Sequence, residues 1–164
     1  MSKLLRLHRL PEDEKILRAP NEELSFPLSK EIKKLIEDMK LTVQKAPGIG
    51  LAAPQVGRNL MLAIINLEEF GMESFVLVNP VVVSKSIKKT IMEEGCLSIP
   101  GKFGPVKRPA KVEVTGYTED GKKIKIKGDK LLAKVLQHEI DHLNGILIAD
   151  KFDSSPSPRS EREG

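Results

Sequence analysis

Residues 111–145 read KVEVTGYTEDGKKIKIKGDKLLAKVLQHEIDHLNG, and their periodicity decides the fold. Lys111 to Thr118 and Lys122 to Lys127 alternate apolar and polar residues, with Val112, Val114, Ile124 and Ile126 on one side. Period two predicts strands with one buried face. Asp120-Gly121 between them is a hairpin signal. From Lys130 to Leu143 the period becomes helical. Leu131, Leu132, Val135, Leu136 and Leu143 share one broad face, and Lys130, Lys134, Gln137 and Asp141 lie opposite. Asp129 stands in the capping position, and Asn144-Gly145 ends the run.

Outward from this unit, Ser29 to Lys45 predicts a second, N-terminal helix. Its stripe is Ile32, Leu35, Ile36, Met39 and Val43, capped by Ser29 and stopped by Pro47 and Gly48. PGIGLAAPQVG follows as a turning, close-packed segment. Leu60 to Asn66 and Phe75 to Asn79 predict strands. Pro80 is expected to break the second, with Val81 to Val83 and Ile87 to Glu94 offering further strand material. Strands bracketed by two helices, without a βαβ rhythm, give an α+β fold: antiparallel or mixed sheets around the C-terminal helix, plus the N-terminal helix.

The chain has 164 residues, enough for one domain with a real core. We expect a single folded domain over residues 1–153 and a flexible polar tail over 154–164, where the sequence is SSPSPRSEREG. Cys96 is the single cysteine, which excludes an internal disulfide and suits a reducing, cytoplasmic setting. No apolar run has the length of a membrane span, and the first residues lack a secretory pattern. A net charge of +4, spread along the chain, argues against a specific nucleic-acid site.

Residues 138–142, HEIDH, carry the chemistry. His138 and His142 are one helical turn apart and point the same way, so both imidazoles can hold one metal ion. Chance supplies roughly 0.005 such patterns in a chain of this composition. Glu139 falls on the apolar face, where an unpaired carboxylate costs several kcal/mol or shifts its pKa upward. That placement suits a proton carrier beside an ion. A catalytic metal site needs a third protein ligand. Cys96, in EEGCLSIPG, is a better candidate than distant His8 or the tail residues Glu161 and Glu163. GIGLAAPQVG lacks the Lys-Ser/Thr of a phosphate loop, but its small residues let a peptide backbone approach. Two other readings are a metallopeptidase using HEIDH and a non-enzymatic module with a structural metal. Peptidases of the first kind usually take a downstream third ligand, and structural sites usually have four ligands.

Three blocks in order, GIGLAAPQ (48–55), EGCLS (94–98) and QHEIDHLNG (137–145), resemble the peptide deformylase family. The resemblance extends over about residues 5–150. It implies metal-dependent removal of the N-formyl group from the N-terminal formylmethionine of newly made polypeptides, releasing formate. It implies Cys96, His138 and His142 as metal ligands and Glu139 as general acid and base. The Gln55 side chain and the Leu97 backbone N–H become the oxyanion donors. Ile49, Gly50, Val135 and Leu131 are candidates for the substrate slot. Ligand chemistry alone favours Zn²⁺, whereas the resemblance implies Fe²⁺, replaceable by Zn²⁺, Ni²⁺ or Co²⁺. Its partners would be N-formylmethionyl nascent peptides, with transient ribosome contact made doubtful by a Pro/Ser-rich end in place of a docking helix.

Overall fold

The structure is a computed structural model that describes residues 1–46 and 48–152. The expected tail, and Pro47 as a helix stop, lie outside the described residues. In order, α1 is Glu14–Arg18, α2 Lys30–Lys45, β1 Gly50–Ala52, β2 Leu62–Ile65, β3 Phe75–Lys85, β4 Lys89–Cys96, β5 Ile99–Pro109, β6 Lys111–Tyr117, β7 Lys123–Asp129 and α3 Lys130–Leu143. The fold is α+β. One antiparallel sheet has the order β1-β2-β3-β6-β7, and β4 and β5 form a separate two-stranded sheet.

Side-chain alternation sorts the core. Leu62, Ile64, Val76 and Val78 pack with Leu35, Ile36, Met39 and Val43 of α2. Their neighbours Ile65 and Leu77 turn the other way and join Val112, Val114, Ala133, Val135, Leu136 and Ile140, the last four from α3. The two helices therefore cover opposite faces of β2 and β3, and all four residues of β2 are buried. β6 and β7 are covered on one face only, as their alternation predicts. Ser29 caps α2 as expected: its Oγ accepts from the Ile32 N–H at 3.2 Å.

Three local readings are corrected, and one strand is added. β3 does not end before Pro80; it continues to Lys85. The register slips between Val78 and Val81, so the missing proline N–H falls in a bulge. Asn79 holds that bulge with φ 49° and exchanges side-chain hydrogen bonds with both backbone groups of Leu24. Second, GIGLAAPQ is not only a turn, because Gly50–Ala52 pairs with Ala63–Ile65 as an edge strand. Third, β5 had no expectation, since its Gly and Pro residues mask a strand that pairs with β4. Fourth, Asp129 occupies the cap position of α3 without a side-chain cap bond.

Gln137 and Asp141, assigned to the outer face of α3, are enclosed by the β4–β5 hairpin. Gln137 Nε2 donates to Pro109 O at 3.1 Å, and Arg108 Nη1 donates to Asp141 Oδ2 at 2.7 Å. The helix is thus held between the large sheet and the small one.

Candidate metal centre

The hairpin delivers the thiol. Cys96 ends β4, and the ladder shifts register between Gly95 and Cys96, where a bulge re-aims a side chain. From the other side, α3 delivers both imidazoles. Cys96 Sγ lies 3.2 Å from His142 Nε2, which lies 3.2 Å from His138 Nε2. All three ligand atoms fall within 4.8 Å of one another.

Their surroundings fit a cation. His138 Nδ1 faces Glu94 Oε1 at 3.0 Å. Donation of that N–H to the carboxylate leaves the Nε2 lone pair aimed inward, the usual arrangement of a metal-binding histidine. Burial would lift the Glu94 carboxyl, but the His138 and Arg108 hydrogen bonds prevail and hold it at about 2. Burial alone would lower His138, yet its hydrogen bonds to Cys96 and Glu94 raise it to about 10. Burial drives His142 the opposite way, well below the ordinary imidazole range. Its Nδ1 and Glu139 Oε2 are buried with no hydrogen-bond partner among the described residues. One sulfur and two imidazole nitrogens suit a divalent first-row transition ion, and three protein ligands leave a position open.

Glu139 is 2% exposed, and burial pushes its carboxyl up to about 7. Gln55 is equally enclosed. Its Oε1 accepts from Ala52 N–H at 2.9 Å, which turns Nε2 toward Cys96 Sγ at 3.5 Å and Ser98 Oγ at 3.2 Å. These groups open onto a cavity of about 570 Å³. Ile49, Gly50, Gln55, Cys96, Leu97, Val135, His138 and Glu139 all line it. His142 is buried behind them. Leu131 packs instead in the core with α3's other apolar residues. His8 lies away from the centre, its ring beside Asp13 and Gly57.

Sequence reasoning gave no role to Glu94 or Arg108. Glu94 stood inside a quoted block, beside the cysteine. Arg108 carried no local signal, because its value lies in the bidentate pair to Glu94 at 2.7 and 3.0 Å and its third bond to Asp141. That side chain ties β5 to β4 and both to α3.

A profile of the polypeptide deformylase family matches residues 6–157. A peptide deformylase of Syntrophobacter fumaroxidans is 52% identical over 123 residues, covering 73% of this chain and 71% of its own. One from Microchaete diplosiphon is 40% identical over 153 residues, covering 92% and 80%. Among solved structures, a class I type b peptide deformylase from Acinetobacter baumannii superposes with TM-score 0.87 at 32% identity, covering 92% of this chain and all of that one. The Synechococcus elongatus enzyme in complex with actinonin gives 0.85 at 39%, covering 99% and 85%. The matched span includes the hairpin that bears the thiol as well as the helix that bears the imidazoles, so the likeness reaches the whole metal-binding triad, and the chain belongs to the polypeptide deformylase family.

Proposed function

We propose that this chain's deformylase reaction, hydrolysis of the N-formyl group of nascent peptides, is carried out by Cys96, His138, His142, Glu139, Gln55 and Leu97. The observation that carries this reading is the convergence of one sulfur and two imidazole nitrogens beside a buried carboxylate on the wall of a cavity. Cys96, His138 and His142 would hold a divalent ion, which when bound would supply Lewis acidity and a water of lowered pKa. Glu139 accepts the proton of the attacking water and returns it to the leaving amine; burial tunes it for both tasks. The Gln55 amide and the Leu97 N–H donate to the formyl oxygen as negative charge develops there, adding no charge of their own. Ile49 and Val135 form the apolar wall for the methionine side chain, and Gly50 leaves room for the peptide backbone.

Fe²⁺ is our choice of working ion, with Zn²⁺, Ni²⁺ and Co²⁺ as substitutes that suit the same donors. We take residues 1–153 as the catalytic unit, acting in the cytoplasm on N-formylmethionyl chains. No described helix is long and apolar enough to cross a membrane. In Acinetobacter baumannii, a class I type b peptide deformylase has been solved with Met-Ala-Ser bound, which supports a peptide in the cavity described above. The test is formate release from formyl-Met-Ala-Ser by anaerobic, Fe²⁺-loaded protein. Release that stops on chelation and returns with metal is expected. Cleavage of unformylated Met-Ala-Ser at a similar rate would instead identify a peptidase.

A further inference from the structure

We propose that Arg9, with Lys134 in the lining of the same cavity, favours nascent chains with an acidic residue shortly after the formylmethionine. The inference rests on the deformylase reading and adds a substrate preference to it. Arg9 lies in the N-terminal segment and Lys134 on α3, four residues before His138, and both line the catalytic cavity. Around them the wall is apolar, with Leu7, Ile49, Leu97, Pro100 and Phe103 among its residues. Glu139 is the one lining carboxylate among the described residues, and it is buried. The lining therefore shows positive charge to whatever enters.

The two cations differ in what already holds them. Lys134 Nζ donates to Glu93 O at 3.0 Å; burial and the nearby Arg108 lower its pKa against the pull of the Glu94 and Glu93 carboxylates. Arg9 is exposed, and its guanidinium has no hydrogen bond or ion pair among the described residues; only its backbone is used, donating to Asp13 Oδ2 at 2.8 Å. A free guanidinium above a low-dielectric wall is suited to a carboxylate, which it grips with two parallel hydrogen bonds. The formyl group sits at the metal and the methionine in its slot, so the chain runs outward past Arg9 and Lys134. A Glu or Asp there meets Arg9, whereas a Lys meets two like charges. A short peptide's terminal carboxylate offers the same chemistry, but a growing chain presents only side chains here.

The test uses amidated peptides, formyl-Met followed by three residues, with Glu or Lys scanned through the three positions and Ala elsewhere. The metal-loaded full-length protein is expected to favour Glu over Lys in kcat/KM by roughly three- to fivefold at one position, as an exposed ion pair allows. Arg9→Glu should reverse that ratio, and 0.5 M salt should flatten it. A free-acid peptide with no Glu should gain over its amide only if the carboxylate falls at the same distance. A wild-type ratio below about twofold at every position, or a ratio indifferent to Arg9→Glu, overturns the proposal. Binding of the unformylated product peptides, measured by calorimetry, reads the same ratio independently of turnover. Failure of the deformylase reading would appear separately, as absence of formate from every peptide.

Discussion

The Cα of Gly50 faces the carboxyl of Glu139 so closely that a Cβ there would lie 2.9 Å from both Cγ and Cδ of Glu139. The strand after α2 thus packs directly against the Glu139 carboxyl on α3. Gly50→Ala should displace that carboxyl while leaving the three ligand atoms alone. A misplacement of this size costs about 100-fold in rate. We expect kcat/KM to fall by 10- to 100-fold with metal content unchanged. Full activity in the variant would show that Glu139 can work from another position.

Glu139→Gln keeps the side-chain volume but cannot carry a proton. Metal binding should persist, and kcat should fall by roughly 100- to 10,000-fold. Metal analysis of the purified variant alongside single-turnover formate release separates the two effects. Turnover close to wild type with bound metal would remove Glu139 from the mechanism.

Cys96→Ser replaces a soft sulfur with a hydroxyl, a poorer ligand for late first-row ions. Metal affinity and activity should drop together. If chelator competition finds the ion held as tightly as before, the third ligand is another residue.

Glu94→Gln should loosen the metal site without touching a ligand. The carboxylate fixes the His138 ring through Nδ1 at 3.0 Å and is itself held by Arg108. Loss of such a support typically lowers metal affinity by 10- to 100-fold. Arg108→Met goes further, leaving Glu94 and Asp141 without their shared cation; breaking a buried pair this way costs about 3–5 kcal/mol. Urea titration of the apo-protein and chelator competition on the loaded protein should both respond. Unchanged Zn²⁺ affinity in Glu94→Gln would mean that helix packing alone orients His138.

Asp38 links stability to pH at a distance from the reaction centre. It is buried on α2, and the Lys34 hydrogen bond, aided by the Lys3 backbone N–H, holds its carboxyl below the ordinary value despite burial. A lowered carboxyl stabilises fully above its unfolded value near 3.8, and the gain disappears as pH falls through the lower folded value. Asp38→Asn should therefore unfold at lower urea than wild type at pH 7. The gap should narrow steadily below pH 3.8. A gap that stays constant down to pH 2 would mean the bond works through shape and not through charge.

Periodicity made much of this fold legible. The α2 stripe, the β6–β7 hairpin and the α3 motif are local patterns, and each formed close to where the residues put it. The missed pieces depend on distant partners. Pro80 ends a strand by local rules, but the bulge at Asn79 needs Leu24 to hold it. Gln137 and Asp141 read as solvent-facing because the hairpin that covers them contributes from 28 and 33 residues away. Arg108 has the same character, since nothing beside it in sequence announces a buried pair. Within the candidate site, residue type and spacing singled out the ligand set; the supporting carboxylate and guanidinium became visible only in three dimensions.

The thiol belongs to the two-stranded ribbon, and 46 residues separate it from the second imidazole on α3. During synthesis the ribbon is finished before either histidine has been added. A copy that stops short of α3 has a bare cysteine but neither the two imidazoles nor the Glu139 carboxyl. A chain terminated before α3 therefore lacks two of the three atoms that converge in the finished fold.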